Sequence, residues 1–93
     1  MARHQALGFA SNKLLGVTGA FLNNGAVVQI WSSNNNCQKW TVNPAGDGTF
    51  KLLNVNSAKA MDVSRGSTAD GAVIIQWPYG GGGNQQWRFS LTP

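Results

Sequence analysis

No helical period of apolar residues holds over a useful window of this chain, and its short apolar runs are punctuated by polar turn formers. Gln5 to Phe9 and Lys51 to Val55 read as short first strands. Leu14 to Val17 and Ala60 to Val63 read as second strands. Asn24-Gly25 and Asp70-Gly71 are turn dipeptides, because both residue types accept the left-handed backbone a tight turn needs. Each turn leads into a β-branched run that ends in an aromatic, Ala26 to Trp31 and Ala72 to Trp77. Trp40-Thr41-Val42 and Trp87-Arg88-Phe89 close the two series. The pattern predicts an all-β protein of short strands.

The same pattern occurs twice. Asn24-Gly25-Ala26-Val27-Val28-Gln29-Ile30-Trp31 aligns with Asp70-Gly71-Ala72-Val73-Ile74-Ile75-Gln76-Trp77 at an offset of forty-six residues. That offset also pairs Ser11 with Ser57, Lys13 with Lys59 and Val17 with Val63. After a one-residue gap, Gln38-Lys39-Trp40 aligns with Gln85-Gln86-Trp87. A fixed period of this size is the mark of a repeat architecture. Residues 4–46 and 50–91 are the expected units of one domain spanning residues 1–93. Asn43-Pro44-Ala45-Gly46-Asp47-Gly48, rich in turn formers, is the expected joint.

Length and composition narrow the picture. With 93 residues the chain is one small domain or part of one, and a domain of this size buries only a modest share of its surface. A single cysteine, Cys37, excludes an intrachain disulfide. One histidine and three acidic residues make no convincing zinc or calcium cage, and no cofactor is expected. Extra stability is therefore expected from oligomerisation or from a remainder of the domain. Apolar residues at 42% and four tryptophans argue against disorder. Charged residues make up only 11%, a composition suited to neutral, hydroxyl-rich ligands. The formal charge is +4, but the basic residues are scattered and form no stripe, so nucleic acid is not an expected partner. No apolar run is long enough for a membrane span, and the first residues lack the apolar core of a secretion signal. The expectation is a cytosolic chain, or a mature or excised piece of a secreted protein.

Gln-x-Trp closing each repeat, with Gly-Ala-x-Val and a further Trp before it and an Asp-Val strand in the second copy, resembles the ricin-B-type lectin family. It is also similar to the β-trefoil carbohydrate-binding modules attached to many bacterial glycosidases. The resemblance covers nearly the whole chain, and secretion is what the family implies. It implies a β-trefoil, in which three such units surround a pseudo-threefold axis as a six-stranded barrel capped by hairpins. Two units are present here. A missing unit would leave barrel edges and core tryptophans open, and exposed edges invite pairing. The trefoil is thus expected to be completed by oligomerisation or to be partial. Three chains hold units for two trefoils by exchange; a dimer with a different barrel and a truncated fragment remain open.

The resemblance also implies a shallow sugar pocket in each unit: an Asp after the second strand, an aromatic fifteen residues on, and an Asn in the next loop. In the second unit Asp62, Trp77 and Asn84 match, with Gln85 beside them. Trp77 offers a flat apolar platform for the C–H face of a pyranose. Ionised Asp62 can accept two neighbouring hydroxyls, and Asn84 can both donate and accept. In the family this arrangement favours galactose-type sugars, while some members bind xylose or arabinose polymers, so a galactose-type or xylan-like glycan is the expected partner. Tyr79 and the glycine loop after it border the site, with Tyr79 as a second aromatic wall. In the first unit Gly16 and Cys37 replace the Asp and Asn, so a dead or very weak site is expected there.

Each of these residues has a plainer reading. Trp40 and Trp87 are expected in the core, Trp31 packed, and Gln38 and Gln85 as struts of their loops. Cys37 is expected to be an inert thiol, His4 an exposed terminal residue, and Arg65 a solvated side chain. A glycosidase normally needs two carboxylates across the bond it cleaves. Here Asp47 and Asp70 sit beside glycines in turns, and there is no Glu. One terminal histidine gives no Ser-His-Asp set, and Gly80 to Gly83 lacks the Lys of a phosphate loop. A binder, not an enzyme, is expected. The alternative is a structural or assembly module without sugar binding.

Overall fold

A computed structural model describes residues 3–5, 11–32 and 35–89. The fold is all-β: seven strands and four short 3-10 turns, with no α-helix among the described residues. The strands are β1 (Arg3–His4), β2 (Leu14–Val17), β3 (Val28–Trp31), β4 (Trp40–Gly46), β5 (Thr49–Asn54), β6 (Ala60–Val63) and β7 (Ile74–Trp77). One antiparallel sheet runs β1-β4-β5-β6-β7, and β2 and β3 form a separate hairpin.

The two halves share one geometry. In β2–β3, Leu14 faces Trp31 and Val17 faces Val28; in β6–β7, Ala60 faces Trp77 and Val63 faces Ile74. A 3-10 turn follows β2 and β6, and another precedes each Gln-x-Trp tryptophan. Trp40 Nε1 donates to Leu15 O at 3.2 Å, and Trp87 Nε1 donates to Met61 O at 3.0 Å. Both indoles thus pack on the core with their one polar atom satisfied. Val17, Val28, Trp40, Leu52 and Met61 form the centre of that core, with Trp87 packed at its side.

The halves are stitched along the edge of β7. Val27 bridges Ile75, Gly25 N donates to Gln76 O at 2.8 Å, and Gln76 N donates to Ala26 O at 3.0 Å. Gln76 is fully buried. Its Nε2 donates to Phe21 O and Asn23 O, each at 2.9 Å, and its Oε1 accepts from Ser57 Oγ at 2.6 Å. Asn54, also buried, adds a second tie by donating to Cys37 O at 2.8 Å. A buried amide is tolerated in a small core only when its donors and acceptor are met in this way.

Several sequence expectations change in detail. The expected joint at residues 43–48 is mostly strand: β4 continues to Gly46, and the reversal is made by Asp47 and Gly48, both with positive φ. Pro44 is tolerated there because, among the described residues, β1 pairs with β4 only at Trp40 and Thr41 and takes no donor from Pro44. The register shift between Pro44 and Gly46 bends the strand into the turn. Both β-branched runs enter their own hairpin two residues later than expected, at Val28 and Ile74. Trp87-Arg88-Phe89 is not a strand but a single bridge between Trp87 and Phe50, and Phe89 is exposed. Of the strand expected over residues 5–9, residues 6–9 lie outside the described residues, and the pairing strand is Arg3–His4.

One side of the core opens into an apolar hollow of about 560 Å³, lined by Leu15, Trp40, Val42, Phe50, Leu52 and Met61. His4, exposed as expected, stands at its rim.

Candidate functional site

On another side, a pocket of about 630 Å³ is lined by Asp62, Trp77, Asn84 and Gln85, together with Gly25, Arg65 and others. Asp62 comes from β6, Trp77 from the end of β7, and Asn84 and Gln85 from the 3-10 turn Gly83–Gln85. Within the β6–β7 hairpin Asp62 faces Ile75, two residues before Trp77, so carboxylate and indole share one face of the ribbon.

Asp62 is 4% exposed, yet both its oxygens are engaged. Asn84 Nδ2 donates to Oδ1 at 3.1 Å, and Gln85 Nε2 donates to Oδ2 at 2.9 Å. A carboxylate has about four acceptor sites, so these two bonds orient the group and leave acceptor capacity for a ligand. Trp77 stands at the pocket wall, 46% exposed.

The geometry divides the roles of the two amides. Asn84 Nδ2 also donates to Val63 O at 3.2 Å, so both of its hydrogens are committed. Its Oδ1 is the atom left for a ligand. Asn84 is expected to both donate and accept, and here its Nδ2 already donates twice within the protein. Gln85 is committed throughout: Nε2 also donates to Pro78 O at 3.0 Å, and Oε1 accepts from Gly80 N and Gly81 N at 2.7 and 3.2 Å. It holds Asp62 on one side and the glycine loop on the other, the strut reading, and has no free valence for a sugar.

Tyr79 is not among the residues lining this pocket. Its ring lies under Lys51, with Nζ 4.7 Å from the centroid, a cation–π contact that draws it toward β5. Sequence reasoning overlooked Gly25, which crosses from the other half through its bond to Gln76 O. Its Asn-Gly turn was legible, but its destination was not. Arg65, read as a solvated side chain, lines the pocket.

The corresponding place in the N-terminal half is built differently. Gly16 is packed so closely that a Cβ there would collide with Gln38 Cγ and lie 3.0 Å from Cys37 O. Gln38 keeps the strut role, donating to Trp31 O at 3.1 Å and accepting from Asn35 N at 3.1 Å. Cys37 is buried, and its thiol donates to Asn35 Oδ1. Trp31, expected to pack, is instead 43% exposed, much like Trp77 in the other half. Among the described residues, no cluster of metal-ligating side chains occurs and no helix is long and apolar enough to cross a membrane.

The chain belongs to the family described as ricin-type beta-trefoil lectin domain-like, whose sequence profile matches residues 7–77 and 36–93. Among solved structures it is similar to ThreeFoil, a designed threefold-symmetric protein, with a TM-score of 0.90 and 42% identity. That match covers 92% of this chain and 62% of ThreeFoil. It is also similar to an exo-β-1,3-galactanase from Clostridium thermocellum, with a TM-score of 0.93 and 31% identity over 99% of this chain and 20% of the enzyme. The lectin of Polyporus squamosus shares the fold at a TM-score of 0.78 and 22% identity, over 97% of this chain and 32% of the lectin. The chain thus spans less than two thirds of each. A search of curated protein sequences gave no match. The fold is all-β with the architecture of part of a β-trefoil, and the family is one of lectin-like, carbohydrate-binding domains.

Proposed function

We propose that this chain is a carbohydrate-binding module, not an enzyme, that takes a galactose-type or related sugar, xylan-like chains included, in the pocket of its C-terminal half. On this reading residues 4–46 and 50–91 are two trefoil units, and only the second carries a working site. Trp77 stacks on the C–H face of the sugar, Asp62 accepts two adjacent hydroxyls, Asn84 Oδ1 accepts a third, and Gln85 positions Asp62. The observation that carries the reading is a buried carboxylate held by two side-chain amides beside a half-exposed indole in one pocket. Directed donors that hold an acceptor in place lower the ordering a ligand must impose. Likeness to a protein named as a β-1,3-galactanase supports the galactose class.

The experiment is a calorimetric titration with galactose, lactose and xylo-oligosaccharides, run beside Trp77→Ala. Saturable binding to one class, lost in the variant while the fold is retained, is the expected result. A folded protein that binds none of them would leave the assembly reading in its place.

That second reading rests on the apolar hollow. Among the described residues β3 has β2 on one side and no strand on the other. Ile30 on β3 and Val73 in the opposite half are each about half exposed. In the junction within the chain, their counterparts by the repeat offset, Gln76 and Val27, take part in the pairing between halves. A further trefoil unit, exchanged from another copy of the chain, fits this surface by the same pairing, and several sites per assembly would add avidity. Sedimentation velocity across a concentration series checks it: assembly into dimers or trimers is expected, and a monomer at every concentration would remove it.

A further inference from the structure

We infer that the sugar pocket selects glycans bearing an anionic group, a carboxylate or a sulfate ester, and that Arg65 is the residue that reads it. The inference rests on the sugar-binding reading above and adds the ligand's charge.

After β2 and β6 the chain makes the same turn, with two successive residues at positive φ. In the N-terminal half these are Gly19 at 62° and Ala20 at 54°. In the C-terminal half they are Arg65 at 57° and Gly66 at 65°. The order of glycine and side chain is reversed, and the reversal brings an arginine to the first position, where it lines the pocket beside Asp62 and Trp77. Glycine would take either position more readily than any L side chain. A non-glycine residue held in this conformation at a binding pocket is a pointer to function.

Arg65 is also chemically available. Of the neighbouring cations in the same half, Lys51 lies over the Tyr79 ring and Lys59 donates to Leu22 O at 2.7 Å. Among the described residues no hydrogen bond or ion pair engages the Arg65 side chain. Asp62, the one acid of the pocket, is buried and turned to its amide partners, whereas Arg65 is exposed at the rim. The pocket therefore has two poles: a buried acceptor for hydroxyls and a rim cation. A ligand that matches both has vicinal hydroxyls on one edge and an anionic substituent on the other. Guanidinium suits either anion, because its planar fork binds carboxylate or sulfate oxygens in pairs.

The test compares galactose, galacturonic acid and galactose 6-sulfate, which differ at one carbon, by calorimetry on the intact chain at low and high salt. Wild type is expected to bind one or both acidic sugars roughly five-fold more tightly than galactose at low salt, with the advantage shrinking as salt rises. A gain confined to galacturonic acid names a carboxylate reader, and one confined to the sulfate names a sulfate reader. Arg65→Gly should bring the affinities for the acidic sugars down to that for galactose in the same variant. It suits the backbone, since glycine accepts a positive φ. Arg65→Lys should keep part of the preference. Equal affinity for neutral and acidic sugars in wild type, or an advantage that survives Arg65→Gly, overturns the inference and leaves the lectin reading standing. No binding of any sugar overturns both.

Discussion

Gln85 Nε2 lies 2.9 Å from Asp62 Oδ2, and every other hydrogen-bonding valence of Gln85 is spent on the backbone of the loop at residues 78–81. One side chain therefore sets both the carboxylate and the glycine-rich border of the pocket. Gln85→Met keeps the volume and removes every bond. The unpaired Oδ2 of Asp62 and the freed loop amides should lower stability by about 2 kcal/mol in urea unfolding. Sugar affinity should fall at least as far as in a variant that touches the ligand directly, as calorimetry on the folded fraction would record.

Trp77 separates function from stability. It is exposed at the end of β7 and carries little of the core. Trp77→Ala should shift unfolding by no more than about 1 kcal/mol, since surface truncations away from packed sites are mild. Affinity for the sugar should fall roughly tenfold or more with the loss of the stacking face. A Tm loss as large as that of Trp40→Ala would show that the indole is structural.

Asp62→Asn is a harsher change than its size implies. Whichever way the new amide turns, its NH2 meets a donor, Asn84 Nδ2 or Gln85 Nε2. One buried donor is left unsatisfied, at a cost of about 1–3 kcal/mol. Thermal unfolding should show a lower Tm, and sugar binding should disappear at temperatures where the fold is intact.

Restoring the acid in the N-terminal half should not restore a site. Gly16→Asp would press its Cβ into Gln38 Cγ and the Cys37 carbonyl. Such overpacking costs about 1–3 kcal/mol. The expected result is a less stable protein with unchanged binding stoichiometry. A second binding event in the titration would contradict the account of why that half is silent.

Gln76 is the test of the junction between halves. Gln76→Ala strands the carbonyls of Phe21 and Asn23 and the Ser57 hydroxyl. Stability should fall by about 2–3 kcal/mol, and amide exchange should accelerate first around residues 21–27. Retained protection there would show that the backbone pairing alone holds the halves together.

Local chemistry made much of this readable in advance. β2 and β6 fall where second strands are expected, because each is a short apolar run ending in valine within the repeated pattern. The Asp62, Trp77 and Asn84 spacing was visible because the hairpin and the turn after it lie within one repeat. What crosses between halves was not. Gln76 stands in a β-branched run where the first copy has Ile30, and nothing in that run marks it as a buried latch.

Sequence by itself determined the all-β class and put Asp62, Trp77, Asn84 and Gln85 forward together, since those four lie within one stretch of the repeated pattern. Only the tertiary structure decided that Gln85 is a strut with no valence left, that Tyr79 turns away to Lys51, and that Gly25 and Arg65 reach the site. The reason is physical. Residue type sets which bonds a side chain can make, but the packing of the rest of the chain decides which partners come within 3 Å and which bonds are already taken.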